Sequence, residues 1–117
     1  MPHVVLNGNI HIESIFNKLN TLFIRDGTKI LRTIDIYLER DKNAILIESL
    51  AIESRSKTSF LTMITRREDG VVVRLYPKIE VEKTDGVKQI LAEIAKQLIL
   101  TFPELNIGET NLAEYLK

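Results

Sequence analysis

Asp35 and Glu48 fall in adjacent, strongly apolar stretches, so strand pairing can set one carboxylate against the other. Two carboxylates that close are the arrangement acid–base chemistry uses, because each charge raises the other's pKa and leaves one acid protonated. With Arg74 nearby, the pair becomes a structural ion cluster instead, and this is the reading favoured here. The other chemistry-bearing residues make no recognised pattern. His3 and His11, even with Glu13, match no metal-ligand spacing, so no metal site is expected. Glycines 8, 27, 70, 86 and 108 form no phosphate-binding loop, and serines 14, 49, 54, 56 and 59 sit in no nucleophile elbow. There is no cysteine, hence no thiolate nucleophile or disulfide, and no cofactor is expected.

Composition narrows the classes further. The 117 residues are 44% hydrophobic and 27% charged, the balance of a folded domain that needs no covalent staple. Sixteen basic residues oppose sixteen acidic ones, which argues against a nucleic-acid binder, since phosphate contacts demand a basic excess. Lys42, Arg55, Lys57, Arg66 and Arg67 read as charged turn and edge residues that oppose aggregation rather than as a binding rim. No apolar run approaches the ~20 residues of a membrane span, so no membrane partner is expected. The opening MPHVVLNGNIH lacks a basic stretch and a cleavage site. Cytoplasmic is the resulting expectation.

The elements that would position these side chains follow from periodicity. Residues 3–10 read as a strand and 12–20 as a short amphipathic helix with Ile12, Ile15, Phe16 and Leu19 on one stripe. Residues 30–40 alternate as a strand, RDKN at 40–43 turns the chain, and AILIESLAIE at 44–53 returns. A polar loop at 54–59 leads to a strand at 60–66. REDG at 67–70 turns into a strand at 71–77, ended by Pro77. Residues 85–102 are the clearest helix, with Val87, Ile90, Leu91, Ile94, Leu98 and Phe102 on its apolar side and Thr84 or Asp85 as cap. In the tail, Asn111 followed by Glu114 resembles a capping box and predicts a short helix pinned by Leu112 and Leu116.

The order β-α-β-β-β-β-α-α predicts a single α+β domain over 1–117 with a short C-terminal helical tail at about 109–117. Its architecture would be a two-layer sandwich, a mainly antiparallel sheet of four to five strands with helices on one face. That order is similar to TATA-binding-protein-like halves and to the helix-grip fold of small lipid carriers, a likeness that transfers no function.

Glu48 is the odd residue of the apolar run at 44–53. A four-residue loop at 40–43 pairs Leu38 with Ile45, Ile36 with Ile47 and Ile34 with Ser49 on a core face. Tyr37 then meets Leu46, Asp35 meets Glu48 and Thr33 meets Leu50 on the outer face. This register spares the cost of burying an ionised carboxylate, so Glu48 marks the wet side. In the second hairpin, Leu61, Met63, Val71, Val73 and Leu75 are expected inside. Thr62, Ile64, Arg66, Val72, Arg74 and Tyr76 are expected outside.

The outer face therefore mixes aliphatic, aromatic and charged groups, as docking surfaces do. The leading expectation is a small soluble non-enzymatic binding or assembly module, a homodimer or a binder of another protein. It would act through the outer sheet face or an edge, with Asp35, Tyr37, Leu46, Glu48, Arg74 and Tyr76 as candidate contacts. The alternative is a carrier holding a small hydrophobic ligand between the long helix and a curved sheet, lined by Phe16, Phe60, Met63 and Ile94. An enzyme using the Asp35/Glu48 pair comes third.

Overall fold

Short polar reversals separate the apolar runs after residue 28, and each reversal forces the next strand back antiparallel to the last. The computed structural model describes residues 1–117. Its elements are β1 (His3–Asn7), α1 (Ile12–Lys18), β2 (Phe23–Asp26), β3 (Lys29–Leu38), β4 (Ala44–Glu53), β5 (Ser56–Arg67), β6 (Gly70–Leu75), α2 (Asp85–Thr101) and β7 (Asn106–Thr110). A single 3-10 turn at Ala113–Tyr115 follows. All seven strands join one antiparallel sheet in the order β2-β3-β4-β5-β6-β1-β7, curled into a half-barrel.

The expected two-layer sandwich of four to five strands is thus overturned. β2 and β7 extend the sheet to seven strands, and the order ends in a strand and one 3-10 turn rather than two helices. β2 is only FIRD and stays largely exposed, so no apolar alternation announces it. β7 is NIGET, weak in β-formers, and becomes a strand because β1 offers it an open edge. Asn111 caps no helix. Its Oδ1 accepts from the His3 N–H at 3.0 Å, and its Nδ2 donates to the Met1 carbonyl at 2.8 Å.

Both helices pack on one side of the sheet, the inner face. One core joins Leu31, Ile45, Ile47, Ile64, Val71 and Val73 of the strands to Ile12 and Ile15 of α1 and to Val87, Ile90, Leu91, Ile94 and Leu98 of α2. Glu53, at the end of β4, sets where α2 begins. Its carboxylate accepts from the Thr84 hydroxyl at 2.7 Å and from the Gly86 N–H at 3.1 Å, while Thr84 Oγ1 caps the Val87 N–H at 3.2 Å. A negative group at a helix N-terminus also complements its dipole.

Two local details decide which side chains point inward. In β3 the pairing slips between Thr33 and Ile36, so Ile34 and Asp35 together oppose Glu48. The bulge turns Leu31 and Thr33 inward, whereas strict alternation predicts them outside, and keeps Ile36 and Leu38 on the inner side as expected. The second correction lies in the β5–β6 hairpin. Its loop is only Glu68-Asp69 between paired Arg67 and Gly70, which turns Thr62 and Ile64 inward and Leu61 and Met63 outward. Thr62 is tolerated inside because its hydroxyl meets Ser49 Oγ at 2.9 Å, which also donates to the Ile47 carbonyl. Gly70 has no substitute there, since a Cβ would collide with the Leu6 carbonyl oxygen of β1. The strand β5 also starts at Ser56 rather than Phe60, because Ser54-Arg55 alone makes the preceding turn.

Ile47→Ala should cost ~2–5 kcal/mol in urea titration, as a fully buried residue leaving a cavity does. Leu46→Ala, half-buried on the other face, should cost less than half as much.

The tail gives a second test. Leu112 is buried, and the Tyr115 hydroxyl donates to Asp85 Oδ1 at 2.6 Å. That bond favours the neutral phenol and, with desolvation and the Asp85 charge, pushes its pKa from 10.0 up to about 12. The stabilisation is full below pH 10 and is lost as pH climbs from 10 toward 12. Tyr115→Phe should therefore be less stable at neutral pH and show a flatter stability profile across that alkaline window.

Candidate functional site

The outer face of the sheet carries neither helix. Cross-strand pairing arranges its centre in rows. One row runs Tyr37, Leu46, Met63, Arg74, His3 from β3 across to β1. The next holds the bulged Ile34 and Asp35, then Glu48, Leu61 and Tyr76, whose N–H donates to the Leu61 carbonyl at 3.0 Å. On the opposite side of the first row lie Ala44, Thr65, Val72 and Val5. Thus the six residues singled out from sequence share one surface, and Glu48 is on the outer side, half-buried.

The residues missed are Leu61 and Met63. Met63 is 8% exposed although no helix covers it. Val5, 5% exposed, packs there too. The signal lies in REDG: with either all four residues or only Glu68 and Asp69 as loop, Met63 pairs with Arg74 on the outer face, whereas a three-residue loop ending at Gly70 turns it inward.

Electrostatics on this face are uncompensated. The Tyr37 hydroxyl lies 3.4 Å from Asp35 Oδ2 and donates to it. The negative charge of Asp35, then partial desolvation, then Glu48 push the Tyr37 phenol above its ordinary pKa. The bulge explains this proximity, since it aims two β3 residues at Glu48. Arg74 does not close the expected ion cluster. It stands two strands from Glu48, between Met63 and His3, and its buried Nε has no hydrogen-bond partner. The structure's ion pairs are Lys42–Glu13 at 3.4 Å and Lys96–Glu93 at 3.1 Å, and neither involves these groups.

Beside Glu48 an open depression of about 240 Å³ is lined by Ile34, Phe60, Leu61 and Ile79, without Asp35. An apolar wall with one carboxylate suits a contact with an aliphatic or cationic side chain. The four residues expected to line a carrier cavity are not gathered: Met63 faces outward, while Ile94 and Phe60 are packed in the core. None of the five depressions gathers these four residues, and the one that touches both α2 and the sheet is an open site at the β7 edge, lined by Ile99, Leu100, Ile107 and Leu116. His3 begins β1 with Nδ1 at 2.9 Å from the Met1 carbonyl oxygen, and His11 precedes α1, so the histidines are separate. No three His, Asp or Glu side chains are grouped to hold a metal. The basic residues divide between opposite ends of the sheet, Arg55 and Lys57 at one and Lys42, Arg66 and Arg67 at the other. No helix is long and apolar enough to cross a membrane.

Comparison with protein-family models, curated proteins and solved structures returned no significant match.

Asp35→Asn should lower the Tyr37 titration midpoint toward its ordinary value, and Glu48→Gln should lower it less. Spectrophotometric titration with Tyr76 and Tyr115 replaced by Phe reads this directly. Glu48→Gln should change stability by under ~1 kcal/mol, because a charge at a water-facing surface contributes little.

Proposed function

We propose that this protein is a small non-enzymatic assembly module that docks a protein partner on its outer sheet face, over β4, β5 and β6. The observation that carries this reading is the state of that face. It combines half-buried apolar side chains, Leu46, Leu61 and Val72, with a buried, unpartnered Arg74 Nε and two acids lacking a cation. Groups left unpaired beside an apolar strip are the arrangement that a partner's complementary groups satisfy. The carrier reading has less support, because the space between α2 and the sheet is filled by residues of the core. The acid pair lies on an open surface rather than in a cleft, which weakens the enzymatic reading.

A photoreactive phenylalanine at Leu46 should give one discrete adduct in living cells, and Val72→Lys should suppress it. The same probe at Leu100, an 84%-exposed residue of α2, should give none. Adducts from Leu100 alone would overturn the proposal.

A further inference from the structure

The outer face holds both halves of an ion pair and joins neither to the other. Glu48 is on β4 and Arg74 on β6, with β5 between them. Glu48 lies opposite Leu61, and Arg74 lies opposite Met63. The two charged residues are therefore two strands and two residues apart, roughly 12 Å at a ~4.8 Å strand spacing and ~3.4 Å rise. No ion pair joins them within one chain. Their midpoint falls on β5 between Leu61 and Met63.

From this placement we infer that the partner is a second copy of this chain, docked face to face about a two-fold axis that passes over β5 between Leu61 and Met63. The inference rests on the docking face proposed above. A two-fold axis lying between the faces, perpendicular to the line from Glu48 to Arg74, exchanges those two positions. Each Glu48 then stands over the partner's Arg74, and each Arg74 over the partner's Glu48. Two equivalent ion pairs form at once, as a self-complementary interface requires. The half-buried Leu61 side chains of the two copies meet beside the axis, so the centre is apolar and the charges flank it. Asp35, brought beside Glu48 by the bulge, adds negative charge to the same arginine site.

The expected strength follows from the area of the strip. β5 is the middle strand of seven, so the axis lies at the centre of the sheet. Three strands over about seven residues make a strip of roughly 14 by 24 Å. This is well under the ~800 Å² per partner of stable complexes. The dimer should therefore dissociate on dilution, with half-association on the order of 10–100 µM or weaker.

Sedimentation equilibrium over a wide concentration range tests it. The wild-type protein should rise from 13.4 kDa toward twice that mass. Glu48→Arg and Arg74→Glu should each remain monomeric, since each sets like charges together twice. An equimolar mixture of the two variants should dimerise again, because both contacts in the mixed pair are then between opposite charges. No effect confined to one chain produces that recovery. Circular dichroism of each variant shows that it is folded; if Arg74→Glu is not, Arg74→Asp and Glu48→Lys take the same roles. A wild-type protein that stays monomeric, or a mixture that does not recover, overturns the inference. So does a dimer broken by Leu100→Glu but indifferent to both charge reversals, which would place the contact at β7 and α2. Should the Leu46 probe still give a single adduct of another mass, the docking face stands and only the identity of the partner falls. Should it give none, both fall.

Discussion

One extra residue in β3 governs both faces of the sheet. Without the slip between Thr33 and Ile36, β3 could not keep Leu31 and Thr33 under the helices along with Ile36 and Leu38. Strict alternation would have turned one half of the strand inside out. The bulge lets a ten-residue strand present an inward face at both ends. Its cost is two consecutive side chains on the outer side, Ile34 and Asp35, and these crowd Glu48. The closeness of Asp35 to Glu48 is thus a by-product of a packing solution on the inner face.

The inner face is closed by a different device. α2 carries a broad apolar stripe, which alone would leave it free to slide along a sheet of aliphatic side chains. Glu53 removes that freedom by binding the Thr84 hydroxyl and the Gly86 N–H together. Gly86 has to be small, because a Cβ there would stand 2.9 Å from the Glu53 carboxyl carbon and 3.1 Å from Ala51 Cβ. Helix start and strand end are therefore pressed together without a spacer. With both helices committed to this side, no helix is left for the other, which the β6–α2 loop borders through Ile79.

The sequence was most legible where hydrophobic alternation and loop length agreed. RDKN as a four-residue loop correctly pairs Leu38 with Ile45, Ile36 with Ile47 and Tyr37 with Leu46, and puts Glu48 outside. Alternation breaks down at Thr33, because a bulge inserts a residue without any glycine or proline to mark it. It breaks down again at Thr62 and Leu61, where side-chain chemistry suggests one face and a two-residue turn enforces the other. Ser49 explains how a threonine is accepted in the core, yet that hydroxyl pair spans two strands and is invisible along one. β2 and β7 were unreadable for a related reason. Each owes its strand conformation to a neighbour's open edge rather than to its own residues. The six candidate contacts do share a surface. The apolar centre around Met63 and Leu61 is hidden along the sequence, because the length of the loop at REDG decides which face it takes.

The position of β1 has a bearing on how the chain assembles in time. β1 lies between β6 and β7, pairing Val4 with Val73 on one side and with Thr110 on the other. The meander from β2 to β6 closes through short loops and can zip up strand by strand, each step sealing only a small ring of chain. The first strand has no such neighbour. It waits until β6 exists, and it gains its second neighbour only after α2 has been built. Such distant pairings make closure slow, since the entropy of the long loop must be overcome before any contact rewards it. During that interval Val4, Val5 and Leu6 are a bare apolar segment beside the unpaired edge of β6, so nascent chains are most vulnerable to mispairing at their oldest residues.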